Sequence, residues 1–279
     1  MTPGEVLAGR YRVLSVLGRG GSGTVFLCQD ERIAGRRWAV KAAQASPDES
    51  AALQREMAAL ARLSHPNLPQ VVDYFACQDH NCLVMEYVEG QDLADRGRVG
   101  ELQALRWGLE LAGVLDYLHG QVPPILHRDV KPENVLVTPT GQLKLVDFGL
   151  ARFFDPEKQR DTLAAGSIGY AAPEQWEEDR QSDVRSDLYS LGGTLLFMLT
   201  GRPPSPSFKR AKPQAEGVDP GTQDLLEWLL AFDPAERPGD AGEVILRLRS
   251  QLDKLETPAA RPVRPGPWPV LLLAALLAG

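Results

Sequence analysis

Near Gly90 the apolar residues of this chain change period, and that change limits the folds open to it. Before it the pattern is of short strands. The stretch from Tyr11 to Asp30 sets two apolar, strand-like runs on either side of a glycine cluster, a hairpin pattern with an unusually flexible turn. Residues 36–43 and 80–88 read as further strands. Between them, 49–63 carries Leu53, Met57 and Leu60 at helical spacing and ends before His65-Pro66, where proline stops a helix. After Gly90 the period is helical. Leu102, Leu105, Leu109, Ala112 and Leu115 fall on one face of a helix over 101–120, with Gly120 as its cap. Residues 186–201 are so uniformly apolar that they predict a helix buried on most sides, and 221–232 and 240–252 are amphipathic helices that close the domain. A small β-rich lobe is thus followed by a larger helical one, and the cleft between two lobes is a natural ligand site.

With 279 residues, 43% of them hydrophobic, the chain can bury a sizeable core. A formal charge of −7 leaves no excess of Lys and Arg to neutralise phosphates, which argues against a general nucleic-acid binder. Three cysteines, Cys28, Cys77 and Cys82, are too few for a disulfide framework and read as ordinary thiols in a reducing compartment. Residues 1–11 lack the apolar core of a signal peptide.

Gly18, Gly20 and Gly23 form a Gly-x-Gly-x-x-Gly, in which the backbone can approach phosphates and bind them through its amides. The same spacing marks dinucleotide-binding folds, but there a helix follows the glycines. Here Thr24-Val25-Phe26-Leu27 is strand-like, which decides against that reading. Lys41 emerges from the apolar strand Ala39-Val40-Lys41, an expensive place for an ammonium unless it finds an anion. Glu56 is a candidate partner, and phosphates are another; taken singly, Lys41 reads as a solvated lysine. The densest stretch is His127-Arg128-Asp129-Val130-Lys131-Pro132-Glu133-Asn134. Asp129 can accept a hydroxyl proton, Lys131 can neutralise a moving phosphoryl group, and Asn134 offers an oxygen to a metal. Asp147-Phe148-Gly149 follows with a carboxylate on a turn, and one Asp, one Asn and phosphate oxygens suffice for a hard cation such as Mg²⁺.

With these motifs in this order, the sequence resembles the eukaryotic-type (Hanks-type) protein kinases from Tyr11 to about Leu255. Ala171–Glu174, Asp187 and Arg237 complete the match, and the phrasing around 65–75 and 118–137 is most similar to bacterial membrane-linked members. The resemblance implies an α+β, bilobal protein kinase fold: a small antiparallel-sheet lobe with one helix over about 11–87, and a mainly helical lobe over about 91–255. Residues 1–10 would be an N-terminal extension. It implies Mg²⁺, with Mn²⁺ as an alternative, and transfer of the γ-phosphate of ATP to Ser or Thr of proteins. Leu17, Gly18, Arg19, Gly20, Gly21, Ser22, Gly23, Thr24 and Val25 would cover the phosphates, and Lys41, held by Glu56, would contact the α- and β-phosphates. Val25, Ala39 and Leu136 would sandwich the adenine, Met85 would act as gatekeeper, the Glu86 and Val88 backbone would read the adenine edge, and Asp92 would hold the ribose. Asp129 would be the base, supported by Lys131 and Asn134, with Asp147 the main metal ligand. Leu60, Val71, His127 and Phe148 would stack as an apolar spine, Glu174 and Arg237 would form a buried structural ion pair, and Asp187 would be a further structural residue.

Lys131, two residues after the base, is the arrangement of Ser/Thr kinases, and Ser167 fits the hydroxyl that braces Asp129 and Lys131. Glu133 is either a selector of a basic substrate residue or a solvated carboxylate. Arg128, before Asp129, is a feature of kinases switched by phosphorylation, which makes Thr162 the expected autophosphorylation site. The short stretch between Gly90 and Glu101 implies a trimmed helix at the cleft mouth. Two alternatives compete: a pseudokinase scaffold, marked by loss of Lys41, Asp129 or Asp147, and a small-molecule phosphotransferase, which lacks the Ala-Pro-Glu segment.

Residues 256–267 read as a Pro- and Arg-containing linker, and 268–279 as an apolar segment too short to span a bilayer by itself. Arg261 and Arg264 before it, and Trp268 at its boundary, make it the expected start of a transmembrane helix. That would leave the kinase domain cytoplasmic, at the inner face of a bacterial membrane. ATP and protein substrates are the expected partners, nucleic acid is not, and a homodimer is left open.

Overall fold

The computed structural model describes residues 1–20, 23–44, 60–147, 152–153, 167, 169–176, 181–204 and 213–257. The first lobe is a six-stranded antiparallel sheet of β1 (Val6–Leu7), β2 (Tyr11–Gly20), β3 (Gly23–Asp30), β4 (Arg37–Gln44), β5 (Val71–Cys77) and β6 (His80–Glu86), in the order β1-β2-β3-β4-β6-β5. β4 lies second from neither edge and is buried on both faces. Trp38, Val40 and Ala42 join Tyr11, Phe26, Cys28, Cys82 and Val84 in one core cluster, while Ala39 joins Leu83 and Met85 in the other. Strand period two therefore puts Lys41 on the Ala39 face, toward the second lobe. At the end of β3, the buried Asp30 carboxylate accepts from Arg10 Nη2 at 2.8 Å, Trp38 Nε1 at 2.9 Å and the Arg32 amide at 2.9 Å. These bonds close the β2–β3–β4 corner.

The second lobe begins with β7 (Gln91–Asp92) and α1 (Leu93–Arg96), followed by α2 (Glu101–His119), β8 (Ile125–Leu126), a 3-10 turn at Pro132–Asn134, β9 (Val135–Val137), β10 (Leu143–Leu145) and β11 (Arg152–Phe153). A second 3-10 turn at Pro173–Trp176 leads to α3 (Val184–Thr200), α4 (Pro220–Leu229) and α5 (Ala241–Glu256). β10, β9 and β7 form one antiparallel sheet and β11 pairs with β8. The helix at the cleft mouth, α1, has only four residues.

Every residue of α3 from Ser186 to Leu199 is buried, as its uniform apolarity predicts. Asp183 caps its first turn through the Arg185 amide at 2.8 Å, and Gly201 ends it at φ 70°. The single-face expectation for α2 needs correcting. Leu102 is exposed, and the buried set is wider, including Ala104, Trp107, Gly108, Leu111, Val114 and Leu118. The reason is that α2 packs against α3, α5 and β10 together. A Cβ on Gly108 would meet Leu195 Cδ2 at 2.6 Å, so glycine sets the approach of α2 to α3. Gly120 does cap α2, but in a right-handed conformation (φ −76°). Of the helix expected at 49–63, residues 49–59 lie outside the described residues, as do the linker beyond Thr257 and the apolar segment 268–279. Among the described residues no helix is long and apolar enough to cross a membrane.

Candidate active site

The loop between β8 and β9 is shaped from below by α3. The Asp187 carboxylate, with no exposed surface, accepts the Arg128 amide at 2.7 Å, the His127 amide at 2.8 Å and His119 Nε2 at 2.9 Å. Arg128 is held at φ 65°, a left-handed conformation that costs a non-glycine residue about 1–3 kcal/mol. Its amide is fixed by Asp187, and its carbonyl accepts Gln175 Nε2 at 3.2 Å. Two elements from elsewhere in the chain therefore hold this turn, and the residue after it is Asp129.

Asp129 sits at the centre of a polar triangle. Lys131 Nζ donates to Asp129 Oδ2 at 2.7 Å and to Ser167 Oγ at 2.6 Å, and Ser167 Oγ donates to Asp129 Oδ1 at 2.9 Å. Asn134 Nδ2 donates to Asp129 Oδ2 at 2.9 Å and to its carbonyl at 2.8 Å. Both carboxylate oxygens are aimed, and an ammonium lies beside them. Such a carboxylate can orient a hydroxyl and accept its proton, with Lys131 balancing charge that develops nearby.

Of the residues assigned to nucleotide by resemblance, Leu17, Gly18, Val25, Ala39, Lys41, Met85, Glu86, Val88, Asp92 and Leu136 line one cavity of about 350 Å³ between the lobes, together with Asn134 and Asp147. Arg19, Gly20, Gly23 and Thr24 lie on the β2–β3 hairpin but do not line it. Gly21, Ser22 and Glu56 lie outside the described residues. Gly90, where the apolar period changes, lines the cavity too, as do Pro69, Tyr87 and Val146, which the sequence did not single out. The glycines differ in their reasons. Around Gly18 and Gly20 a Cβ would meet nothing within 4 Å, whereas Gly23 has φ 129° and makes room for the Ala42 carbonyl of β4. Asp92 has a second task, capping α1 through the Asp95 amide at 2.7 Å.

Lys41 Nζ, 8% exposed, forms an ion pair with Asp147 Oδ1 across the cavity. Asp147 is itself left-handed at φ 68°. Asn134 turns its amide nitrogen to Asp129, which leaves Oδ1 as its donor atom, and the Val146 amide bonds the Asn134 carbonyl at 2.8 Å, keeping Asn134 and Asp147 together. This pair of oxygen donors beside a cavity fits a cation that keeps water and phosphate ligands, as Mg²⁺ does. Among the described residues no group of three or more His, Cys, Asp or Glu forms a self-sufficient metal site.

Away from the cleft, Arg237 forks onto Glu174 at 2.7 and 2.9 Å, Ser186 Oγ adds a third bond at 2.7 Å, and the guanidinium lies 4.7 Å from the Tyr189 ring centroid. Leu60 and Val71 enter the larger core cluster and His127 is fully buried. Phe148, Gly149 and Thr162 lie outside the described residues. The sequence reading missed Asn67, which is buried and ties the approach to β5 to the second lobe. It donates to the Leu143 carbonyl and to Glu110 Oε2, each at 2.8 Å.

A family model described as the protein kinase domain matches residues 11–247. Over 88% of its length the chain is 36% identical to a probable serine/threonine-protein kinase of Streptomyces coelicolor, covering 40% of that protein. It is 33% identical to one of Clostridium perfringens, over 87% of this chain and 38% of that protein. The chain thus spans about two fifths of the length of these relatives. Among solved structures, the PknI kinase domain of Mycobacterium tuberculosis matches with a TM-score of 0.71 and 29% identity, covering 90% of this chain and 99% of that one.

The buried carboxylates make acid the expected denaturant. Burial opposes ionisation of Glu174 and Asp187, but hydrogen bonds from Arg237 and His119 outweigh it and hold both below the usual carboxylate range. Arg10 does the same for Asp30. Groups lowered on folding stabilise above their unfolded pKa, about 4, and lose that contribution as pH falls through the folded values. Burial also holds the His127 imidazole below its usual range, so urea unfolding free energy should start to decline as pH falls below about 6.5 and fall further below about pH 4. Glu174→Gln should cost about 3 kcal/mol at pH 7 and show a shallower acid slope. An acid slope equal to that of the unsubstituted protein would contradict this account of the pair.

Proposed function

This chain belongs to the protein kinase domain family, and we propose that it transfers the γ-phosphoryl group of ATP to Ser or Thr hydroxyls of proteins. The observation that carries this is the triangle of Asp129, Lys131 and Ser167 standing next to an interlobe cavity lined by Lys41, Asn134 and Asp147. The apolar walls, Val25, Ala39 and Leu136, suit a planar base, and Lys41 suits its phosphates. A bound Mg²⁺ would neutralise phosphate charge, with Asp147 and Asn134 Oδ1 as its protein ligands. Asp129 orients the acceptor hydroxyl and takes its proton late in transfer. Lys131 stabilises charge on the moving group, and Ser167 keeps both side chains in place. Lys41 and Asp147 form an ion pair across the cleft. The Ser/Thr preference is supported by Lys131 and by the relatives.

Phosphoryl transfer depends mainly on positioning and fixed charge. Asp129→Asn and Lys41→Met should each lower turnover at least about a hundredfold, about 2.7 kcal/mol, with unchanged melting. Asp147→Asn should abolish Mg²⁺-dependent transfer. Ser167→Ala should lose about tenfold, whereas Ser167→Thr, which keeps the hydroxyl, should not. Undiminished turnover in Asp129→Asn would overturn the assignment of the base.

For location, the proposal is a kinase domain at the inner face of a bacterial membrane, supported by the apolar run 268–279 with Arg261 and Arg264 before it. Fractionation of the natural gene product should place it with membranes; recovery wholly in the soluble fraction would end this part of the proposal.

A further inference from the structure

The end of α3 creates a second site that the catalytic reading does not use. Gly201, at φ 70°, turns the chain out of the helix, and a Cβ there would meet Arg98 Cβ at 3.3 Å. The Val99 amide bonds the Met198 carbonyl at 2.7 Å, so the α1–α2 connection is fastened to the helix end. Arg98 and Arg202 are thereby brought to one pocket of about 370 Å³, whose floor is Leu196, Leu199 and Thr200 and whose rim includes Glu216. Both arginines are exposed. Neither guanidinium has a hydrogen bond or ion pair to Glu216 or to any other described residue. The partial negative charge of the helix C-terminus favours cations here but leaves their donors unused.

The pocket also lies close to the reacting centre. Its wall residue Pro203 precedes Pro204, whose carbonyl closely approaches Gly169 (φ 94°), where a Cβ would meet it at 2.6 Å. Gly169 is two residues from Ser167, which is bonded to Asp129. Summed Cα steps and contacts along this path bound the separation of Pro203 from the Asp129 carboxylate at about 24 Å, the reach of about seven extended residues.

We propose that Arg98 and Arg202 receive an acidic side chain, Asp or Glu, of the protein substrate within about seven residues of the phosphoacceptor. This rests on the kinase reading and specifies its substrate class. Two guanidiniums with unused donors fit a carboxylate, and the apolar floor fits its methylene stem. Exposed pairs are weak singly, so selection should be about fivefold.

The test uses a fluorescent 15-residue peptide with a central Ser and an Asp scanned from about seven residues before it to about seven after, against the all-Ala version. Binding is measured by anisotropy and phosphorylation by kcat/KM. One window of positions should gain about fivefold in both. The double variant Arg98→Ala/Arg202→Ala should lose that gain while phosphorylating the all-Ala peptide at the original rate, and Glu216→Gln should enlarge it. Equal binding at every position, or a gain that survives the double variant, overturns the proposal. Acid-selective, arginine-dependent binding with no phosphorylation of any peptide or of a generic protein would support the pocket and instead count against the kinase reading.

Discussion

A buried carboxylate on a helix buried from Ser186 to Leu199 sets the shape of the loop that carries the candidate reacting centre. Asp187 has no exposed surface, and removing such a charge from water costs several kcal/mol unless donors replace the lost hydration. Three donors do so, and two of them are consecutive backbone amides, of His127 and Arg128. Satisfying the charge therefore also fixes the loop. The left-handed Arg128 is part of this turn, in which its amide bonds Asp187 of α3 and the next residue, Asp129, bonds Lys131 and Ser167. The same helix supports the loop again through Thr194 Oγ1, bonded to the Val130 carbonyl at 3.4 Å.

The two lobes contribute by different means. In the first, strand alternation on β4 puts Lys41 on the cleft face because Trp38, Val40 and Ala42 are needed on the other. In the second, loops rather than strands carry the polar groups, and each is held by a bond from a distant segment: Asp129 by Ser167, Arg128 by Gln175. Gly90 joins the halves, and a Cβ there would meet the Val137 carbonyl at 2.7 Å, so the connection lies tight against β9. Asn67 supplies a second tie across the same boundary.

The sequence made the lobes legible because the period of apolar residues changes with them, and it made the site legible because charged residues crowd into short motifs. Lys41 stood out as a cation in an apolar strand, and Asp129, Lys131 and Asn134 fell within six positions. What stayed hidden depends on partners far along the chain. Asp30, the last residue of β3, was not singled out, yet it collects Arg10 and Trp38. Asp187 was noticed, but its three donors lie 59 to 68 residues away. Leu102 was placed on the core-facing side by a one-face helix pattern, whereas α2 packs against α3, α5, β8 and β10 and its buried side is widened. Period cannot report how many neighbours a helix has.

The central claim is that the Asp187 carboxylate holds the loop bearing Asp129, and amide hydrogen exchange in the chain and in Asp187→Asn tests it directly. An asparagine at this position can accept from one amide only and turns its own NH₂ toward the other. The account predicts that the His127 and Arg128 amides exchange at the rate of global unfolding in the unsubstituted protein. In Asp187→Asn they should exchange at least about tenfold faster, from loss of hydrogen bonds to a charged acceptor, while the core amides of α2 keep their protection. Unchanged protection of His127 and Arg128 in Asp187→Asn would contradict it.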